Sequence, residues 1–323
     1  MKKHAIFIGR SLAVATSFFA LLFPMTLAYA LDALPSGAFI VRPAKIELAI
    51  SPGSEKTTML TLSNGTALPL SVRVSFEDVA PSMQSSPVDA SIVLLGADGG
   101  SYPLKELFHT DNESIDILSG QEVQIPVTVR IPQRTEAGGK YGSVIFTFKP
   151  VLSHDVSSPA NVAIESRLAT LFYVRVLGNA KEEGQLVAFG LFNNANTART
   201  PSADQPLRFQ VAYENTGDVH VNPYGRLTLS PIIGAEKFVL IPPQAVLPGA
   251  THMREVDVSD ALSIGYYRAH IELNRGYRDV VDEREISFWI VPGPEGTLLI
   301  ILGSVFLVWL IRRSLQLSKH RIL

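Results

Sequence analysis

The feature that most constrains this chain is an uncharged apolar run near its C-terminal end, from Thr297 to Ile311. Gly303 is the one residue of the run that disfavours a helix. Two cations, Arg312 and Arg313, follow directly. An apolar helix that ends in cations is typical of a membrane anchor whose basic end stays in the cytoplasm. The preceding domains are then expected on the other side of the membrane.

The length of the run leaves two interpretations open. The residues 297–311 rise only about 22 Å as a helix, whereas the hydrocarbon core of a bilayer is about 30 Å thick. Arginine side chains can reach the interface from inside the bilayer, which extends the usable length. We therefore predict a transmembrane helix over residues 296–313 and a basic cytoplasmic tail over 314–323. The alternative is a buried helix of a soluble domain, which the lack of a polar face disfavours.

The beginning of the chain has the composition of a secretory signal peptide, which we predict over residues 1–30. A positively charged start precedes an apolar region over residues 11–22. Ala28 and Ala30 supply the small side chains that flank a cleavage site. An uncleaved N-terminal anchor is the alternative, and in both cases the chain from Leu31 onward is exported.

Composition excludes several kinds of chemistry. The chain of 323 residues contains no cysteine, which excludes disulfides, thiol nucleophiles and cysteine metal sites. The formal net charge is −2, but seven cations lie in the leader and the tail. The part between them carries 21 cations against 30 acidic side chains. An acidic region of this kind does not favour binding to nucleic acid through bulk charge.

The first half of the exported part has the pattern of an antiparallel β-sandwich, which we predict over residues 38–178. Apolar and polar residues alternate over Thr57 to Leu62, Leu70 to Phe76 and Val123 to Ile131. Alternation with a period of two indicates strands with one buried face. Turn signals such as Asn64-Gly65 separate these short runs, which is typical of a sandwich.

The second half repeats this pattern, and we predict a second immunoglobulin-like sandwich over residues 185–292. Each half has an alternating strand that ends at an asparagine, Asn64 or Asn215, and a later glycine turn at Gly120 or Gly249. The intervals are 56 and 34 residues, so the first half carries an insertion of about twenty residues. Two copies of one fold explain this repeat; the alternative is that any two sandwiches share glycine turns.

A resemblance to a known family rests on turn and strand positions in both halves. The positions are Phe39, Val41, Pro43, Ser51-Pro52-Gly53, Asn64 and Asp78, then Asn215, Gly217-Asp218, His220, Leu247-Pro248-Gly249 and Gly265-Tyr266. In these positions, and in the order signal, sandwich, sandwich, helix and basic tail, the chain resembles the WxL-interacting proteins of Gram-positive bacteria. The resemblance implies a first domain that binds peptidoglycan and a second that binds a surface protein. The same patterns are shared with pilus-chaperone-like sandwiches.

The sequence shows no catalytic constellation, and we predict no catalytic, cofactor-binding or metal-binding residues. The seven histidines do not form a His-x-x-x-His pair. A cluster of His220, His252 and His270 is conceivable, although surface or turn histidines are the more frequent case. Acidic residues over 111–116 are either a cation site or a solvated loop, and the loop is the more frequent case.

The function predicted from these features is that of a membrane-anchored extracytoplasmic binding or scaffold protein rather than an enzyme. Its expected partners are a cell-wall polymer such as peptidoglycan or a surface protein, together with the lipid bilayer through the C-terminal helix. The alternative is an assembly factor that pairs an exposed strand edge with a client, as pilus chaperones do. A free strand edge favours the alternative, whereas a closed edge with an aromatic or polar groove favours ligand binding.

Overall fold

The computed structural model describes residues 38–82, 92–151, 165–192, 200–203, 205–258 and 262–319. The described residues form seventeen β-strands and one α-helix at the C-terminal end, so the all-β fold class is confirmed. Two immunoglobulin-like sandwiches follow one another along the chain, as predicted. The predicted signal peptide, with Ala28 and Ala30 at its cleavage site, lies outside the described residues.

The first sandwich contains ten strands in two sheets. They are β1 (Phe39–Arg42), β2 (Lys45–Ile50), β3 (Glu55–Asn64), β4 (Leu70–Pro81), β5 (Ile92–Leu94), β6 (Phe108–His109), β7 (Ser114–Ile117), β8 (Glu122–Arg130), β9 (Gly138–Pro150) and β10 (Ser166–Val176). One sheet has the order β1-β3-β8-β6, and the other has the order β2-β10-β9-β4-β5 with β7 also paired to β4. All pairs are antiparallel except β2 with β10, which is parallel.

The alternating sequence explains which face of each strand is buried. On β8, Ile125, Val127 and Val129 are fully buried, and the residues between them are not. The strand therefore presents one apolar face to the other sheet and one polar face to solvent. β9 is buried along most of its length because it lies in the middle of its sheet.

The insertion in the first domain is held in place by Asp78. It contains β5, β6 and a short 3₁₀ turn at Lys105–Leu107. The buried Asp78 carboxylate accepts backbone hydrogen bonds from Leu104 (2.8 Å), Lys105 (2.8 Å) and Gly100 (3.2 Å). A buried carboxylate requires such donors, so this residue ties the inserted segment to the end of β4.

The second sandwich contains seven strands in two sheets. They are β11 (Gly184–Phe192), β12 (Leu207–Asn215), β13 (Tyr224–Pro231), β14 (Lys237–Ile241), β15 (Thr251–Val258), β16 (Gly265–Asn274) and β17 (Val281–Ile290). The sheet orders are β11-β12-β15 and β14-β13-β16-β17. Each sandwich has its own apolar core, and a small third cluster, which contains Tyr141, Tyr173 and Leu247, joins them.

The two asparagines that marked the sequence repeat occupy the same structural position in both domains. The Asn64 Nδ2 donates to the Leu68 and Ile117 carbonyls, and its Oδ1 accepts from the Thr66 amide. Its backbone carbonyl accepts from the Gly120 amide at 2.7 Å. Both asparagines are fully buried, and each ties its own strand end to two turns.

The second copy of this structure repeats the same bonds with different neighbours. The Asn215 Nδ2 donates to the Val219 and Val246 carbonyls, and its Oδ1 accepts from the Gly217 amide. Its backbone carbonyl accepts from the Gly249 amide at 2.9 Å. Gly120 and Gly249 have φ values of 74° and 71°, a region that favours glycine at this turn.

The C-terminal helix, α1, spans Pro294–Lys319 and is longer at both ends than the sequence prediction. Proline at the first helical position and Glu295 in the first turn favour this start. The segment Pro294–Arg313 is apolar and long enough to cross a bilayer, and its apolar window is not buried in the protein. The helix is therefore not the buried core helix that was the alternative.

Candidate functional site

The candidate site is an unpaired edge on β10, the last strand of the first domain. One edge of β10 pairs with β9 along the whole strand, from Ser166 to Val176. The other edge pairs with β2, but only from Leu171 to Val176. Within the described ranges, no strand pairs with Ser166–Thr170 on that side. Among the described residues, nearly half of β10 thus has an open edge, which is the prerequisite for adding a strand from another chain.

The edge is open because the N-terminal segment changes sheets beside it. β1 pairs with β3 in one sheet and β2 with β10 in the other, and the chain crosses between them at Pro43. Thr170 Oγ1 donates to the Pro43 carbonyl at 2.9 Å, and the Leu171 amide donates to the Ala44 carbonyl at 2.9 Å. These bonds mark the point where β2 begins, and the preceding strand, β1, pairs with β3 in the other sheet.

The alternation of backbone groups identifies which residues face the opening. The amides of Leu171 and Leu177 donate toward the β2 side, to Ala44 and Ile50. Since backbone groups point to opposite edges at successive residues, those of Arg167 and Ala169 point to the same side. Two amides and two carbonyls therefore line the open edge without a strand partner among the described residues.

An apolar surface lies next to this edge. The inward face of β10 buries Phe172 and Val174, whereas Leu168 on the same face, beyond the start of β2, is 38% exposed. Phe148, on the neighbouring strand β9, packs against Phe39 with ring centroids 4.0 Å apart. An incoming strand would therefore find main-chain partners along the edge and the partly exposed Leu168 beside them, since Phe148 is itself buried.

The charged side chain of this segment does not block the edge. Arg167 forms an ion pair with Glu77 on β4, which lies beyond β9 in the sheet. The guanidinium group is therefore held over the outer face of the sheet rather than across the opening. Lysines, prolines and bulges commonly protect exposed edges, and residues 166–170 contain no lysine or proline.

The junction between the domains lies at the other end of β10. The buried Tyr141 hydroxyl accepts a hydrogen bond from the His220 amide at 2.7 Å and lies 3.2 Å from His220 Nδ1. Burial raises the pKa of Tyr141 and raises that of Tyr173 to about 12. Burial lowers the pKa of His220, while Glu47, 3.9 Å from its Nε2, acts in the opposite direction. This contact holds the first domain, and with it the open edge, against the second.

A cleft of about 720 Å³ opens on another side of the first domain. Phe76 and Phe108, stacked with centroids 5.0 Å apart, are among its lining residues. Arg73, Asp111 and Glu113 contribute charged groups of both signs. The cleft therefore combines aromatic side chains with charged groups.

The structure does not bring the three candidate histidines together. His220 lies at the domain junction, His252 lies on β15, and His270 lies on the outer face of β16 with Nε2 3.9 Å from Glu283. Among the described residues, no group of three or more histidine or acidic side chains is arranged to hold a metal ion.

The predicted anchor residues all lie on α1. The Thr297 amide donates to the Gly293 carbonyl at 2.8 Å, which places Thr297 in the first turn rather than at the start. Ile311 is exposed, as a side chain facing lipid would be, and Arg312 follows it. The Arg313 guanidinium lies over the Trp309 ring, 5.2 Å from its centroid.

The first domain was predicted to end at residue 178, directly after β10, but the open edge of this strand was not predicted. The available signal was Pro43, which separates two short apolar runs, because proline lacks the amide that a continuous central strand requires. Tyr141 and His220 also went unrecognised as partners, since 79 residues separate them in the chain.

Comparison with models of known protein families and with curated proteins finds no match. Among solved structures, the chain is similar to the class 5 fimbrial chaperone CfaA (12% identity, TM-score 0.36, covering 79% of this chain and 100% of that one). The SafB chaperone in complex with SafA pilin of Salmonella enterica is also similar (14% identity, TM-score 0.35, 80% and 98% covered). A third is the CupB2 chaperone of Pseudomonas aeruginosa (11% identity, TM-score 0.32, 76% and 98% covered). The fold assignment itself rests on the strand pairing described above.

Proposed function

We propose that this protein is a membrane-anchored binding module that holds an extended segment of a partner protein on the open edge of β10. The observation that carries the proposal is the unpaired stretch Ser166–Thr170 beside the half-exposed Leu168. Main-chain hydrogen bonds would supply affinity, and the apolar surface would select the side chains of the added strand. This is the assembly-factor alternative of the sequence analysis, narrowed to one edge.

The membrane anchor and the two-domain arrangement support this role. α1 would keep the protein at the membrane, and the bonded junction at Tyr141 and His220 would hold the edge in one orientation to it. A rigidly presented edge loses less conformational freedom on binding than a mobile one. Export of both domains, with the tail in the cytoplasm, is part of the proposal.

Site-specific photo-crosslinking in the full chain, in its own membrane, tests the proposal. A photoreactive side chain at Leu168 should capture a discrete partner protein. The control position is Met59 on β3, which is exposed to a similar extent on the other sheet. Capture of the same proteins from both positions, or of none from Leu168, would count against strand addition at this edge.

The cleft beside Phe76 favours a second candidate function, the binding of a cell-wall polymer. Its volume of about 720 Å³ and its mixture of aromatic and charged groups suit a polar chain such as a glycan. Retention of the protein on isolated cell wall, reduced by Arg73→Ala together with Phe76→Ala and unchanged by substitutions at Leu168, would favour this function over the first.

A further inference from the structure

The chain leaves the second domain for α1 through a very short connection. Val291, directly after β17, is bonded on both sides: its amide donates to the Pro201 carbonyl at 3.0 Å, and its carbonyl accepts from the Ala203 amide at 2.9 Å. Only Pro292 and Gly293 then precede α1. Two residues span at most about 7 Å, so this end of the domain must lie close to the point where α1 begins.

Strand direction shows which other elements lie at this end. β16 begins there, because Gly265 is paired with Ile290 at the end of β17. β13 ends there, because Pro231 is paired with Tyr267, and the turn of the β13–β14 hairpin follows over residues 232–236. The Ile232 amide donates to the Tyr266 carbonyl at 3.3 Å, which attaches this turn to the start of β16.

The side chains at this end are mainly apolar, and four of them are more than half exposed. Ile232 and Ile233, in the hairpin turn, are 72% and 91% exposed, and Ile264 is 59% exposed. Trp289 is 55% exposed and packs edge-on against Tyr266, with ring centroids 5.3 Å apart. We call these five residues the apolar end.

The charges near the apolar end are compatible with a lipid surface. Glu236, in the same turn, accepts a hydrogen bond from Ser230 Oγ at 2.6 Å, so its carboxylate is directed back toward β13. Arg268, on the outer face of β16, and Lys237, at the start of β14, place cations behind the isoleucines. An apolar edge backed by cations is the pattern of segments that lie in the interface of an anionic membrane.

We propose that the apolar end of the second domain inserts into the bilayer interface and forms a second membrane contact beside α1. The proposal rests on α1 spanning a membrane, and it goes beyond strand binding at β10. Tryptophan and tyrosine side chains prefer the membrane interface. Transfer of exposed isoleucine side chains out of water lowers the free energy. We assign the bilayer as the surface that covers the apolar end. The connection of two residues places the apolar end beside the point where α1 enters the membrane.

The exposed apolar surface continues from the hairpin turn along β14. This predicts how deeply each of its residues lies in the membrane interface. Phe238 and Leu240, 70% and 71% exposed, lie on the outer face of β14 and follow the hairpin turn. Alternate residues of a strand are about 7 Å apart, so Leu240 is farther from the turn than Phe238. Ile233 should be deepest in the interface and Leu240 the least deep.

Spin labelling of the full chain in vesicles tests this order. Because the chain has no cysteine, Ile233→Cys, Phe238→Cys and Leu240→Cys each create one labelling site. The matched control is Val281→Cys, at the opposite end of β17 and 46% exposed. Each labelled protein is reconstituted in phosphatidylethanolamine and phosphatidylglycerol vesicles, and nitroxide collisions with oxygen and with a water-soluble nickel complex are measured.

We expect a several-fold lower nickel collision rate and a higher oxygen collision rate at position 233 than at position 281, with positions 238 and 240 between them in that order. Equal nickel accessibility at positions 233 and 281 would overturn the proposal. Low accessibility to both reagents at position 233 would also overturn it, because this is what burial against protein produces. Retention of all variants after alkaline extraction shows separately whether α1 still holds the protein in the membrane.

Tryptophan fluorescence provides a second readout with an unmodified apolar end. The chain contains two tryptophans, so Trp309→Phe leaves Trp289 as the one indole. We expect lipids brominated near the headgroup to quench Trp289 emission in the vesicles. Emission at the wavelength of a fully hydrated indole, without quenching by these lipids, would contradict the proposal.

Discussion

The two domains end in strands of opposite character. β10 closes the first domain, and its open edge over residues 166–170 has one charged side chain, which is held over the sheet by Glu77. β17 closes the second domain and pairs with β16 along one edge, while four consecutive charged residues occupy positions 282–285. β17 is at the edge of its sheet and β10 has an unpaired edge over residues 166–170, but only the β17 edge carries the charges that discourage pairing.

The charges of β17 also form bonds that cover its edge. The Arg284 guanidinium donates to the Leu186 and Val187 carbonyls on β11, at 2.8 and 3.0 Å. Asp282 accepts a hydrogen bond from the Leu186 amide at 3.1 Å. The second domain thus joins its two sheets with side-chain bonds between β17 and β11. This difference underlies the proposal that the first domain holds the protein partner.

The largest effect, a loss of folding stability, is expected on replacing the buried asparagine that each domain contains. Asn64→Ala and Asn215→Ala should each destabilise their own domain by roughly 3 kcal/mol or more, because several buried polar groups lose their partners together. Hydrogen–deuterium exchange of β8 and β12 measures the two domains separately. The control, Asn274→Ala, removes one exposed side-chain bond to the Gly276 amide and should cost about 1 kcal/mol or less. A small loss of stability from either Asn64→Ala or Asn215→Ala would contradict the conclusion that both asparagines stabilise their domains in the same way.

Removing acidic side chains from β17 should make its edge available for pairing with another chain, as we propose for the open edge of β10. The double variant Glu283→Val with Glu285→Val should increase self-association of the detergent-solubilised chain by about tenfold, or about 1.4 kcal/mol. Light scattering during size-exclusion chromatography measures the association. The charge-matched control, Asp98→Val with Glu106→Val, loses the same charge outside the β17 edge and should remain unchanged. Equal behaviour of the two variants would show that edge charge does not distinguish the strands.

The smallest expected effect is a loss of stability at low pH in the junction between the two domains. Burial lowers the pKa of His220 from its ordinary value of 6.5, with Lys45 and Arg175 acting in the same direction and Glu47 opposing them. The unfolded state then binds more protons below that value, so the stability that neutral His220 contributes is present above about pH 6.5 and is lost as the pH falls.

Limited proteolysis between the domains measures this loss. Cleavage within residues 178–184 should become faster between pH 7.5 and pH 5, and His220→Gln should remove most of this pH dependence. A protease that retains its activity over this range is required, and cleavage of a denatured substrate provides the correction. A cleavage rate in the native protein that does not depend on pH would exclude His220 as the cause.

Local patterns in the sequence predicted the elements of this fold but not all of their neighbours. Alternation over Val123 to Ile131 predicted β8, and the uncharged run from Thr297 predicted α1, because both signals depend on adjacent residues. The open edge of β10 depends on where Pro43, more than a hundred residues earlier, directs the chain. The junction of Tyr141 with His220 likewise depends on contacts between distant segments, for which the sequence contains no periodic signal.

The most direct test of the open edge is the comparison of Ala169→Pro with Ala169→Ser in the crosslinking experiment from Leu168. Proline removes the amide that faces the opening and leaves the bonds between β10 and β9, whereas serine retains that amide. We predict that Ala169→Pro lowers partner capture by about tenfold or more and that Ala169→Ser leaves it unchanged. Equal capture by both variants, with both folded by circular dichroism, would contradict the assignment of partner binding to this edge.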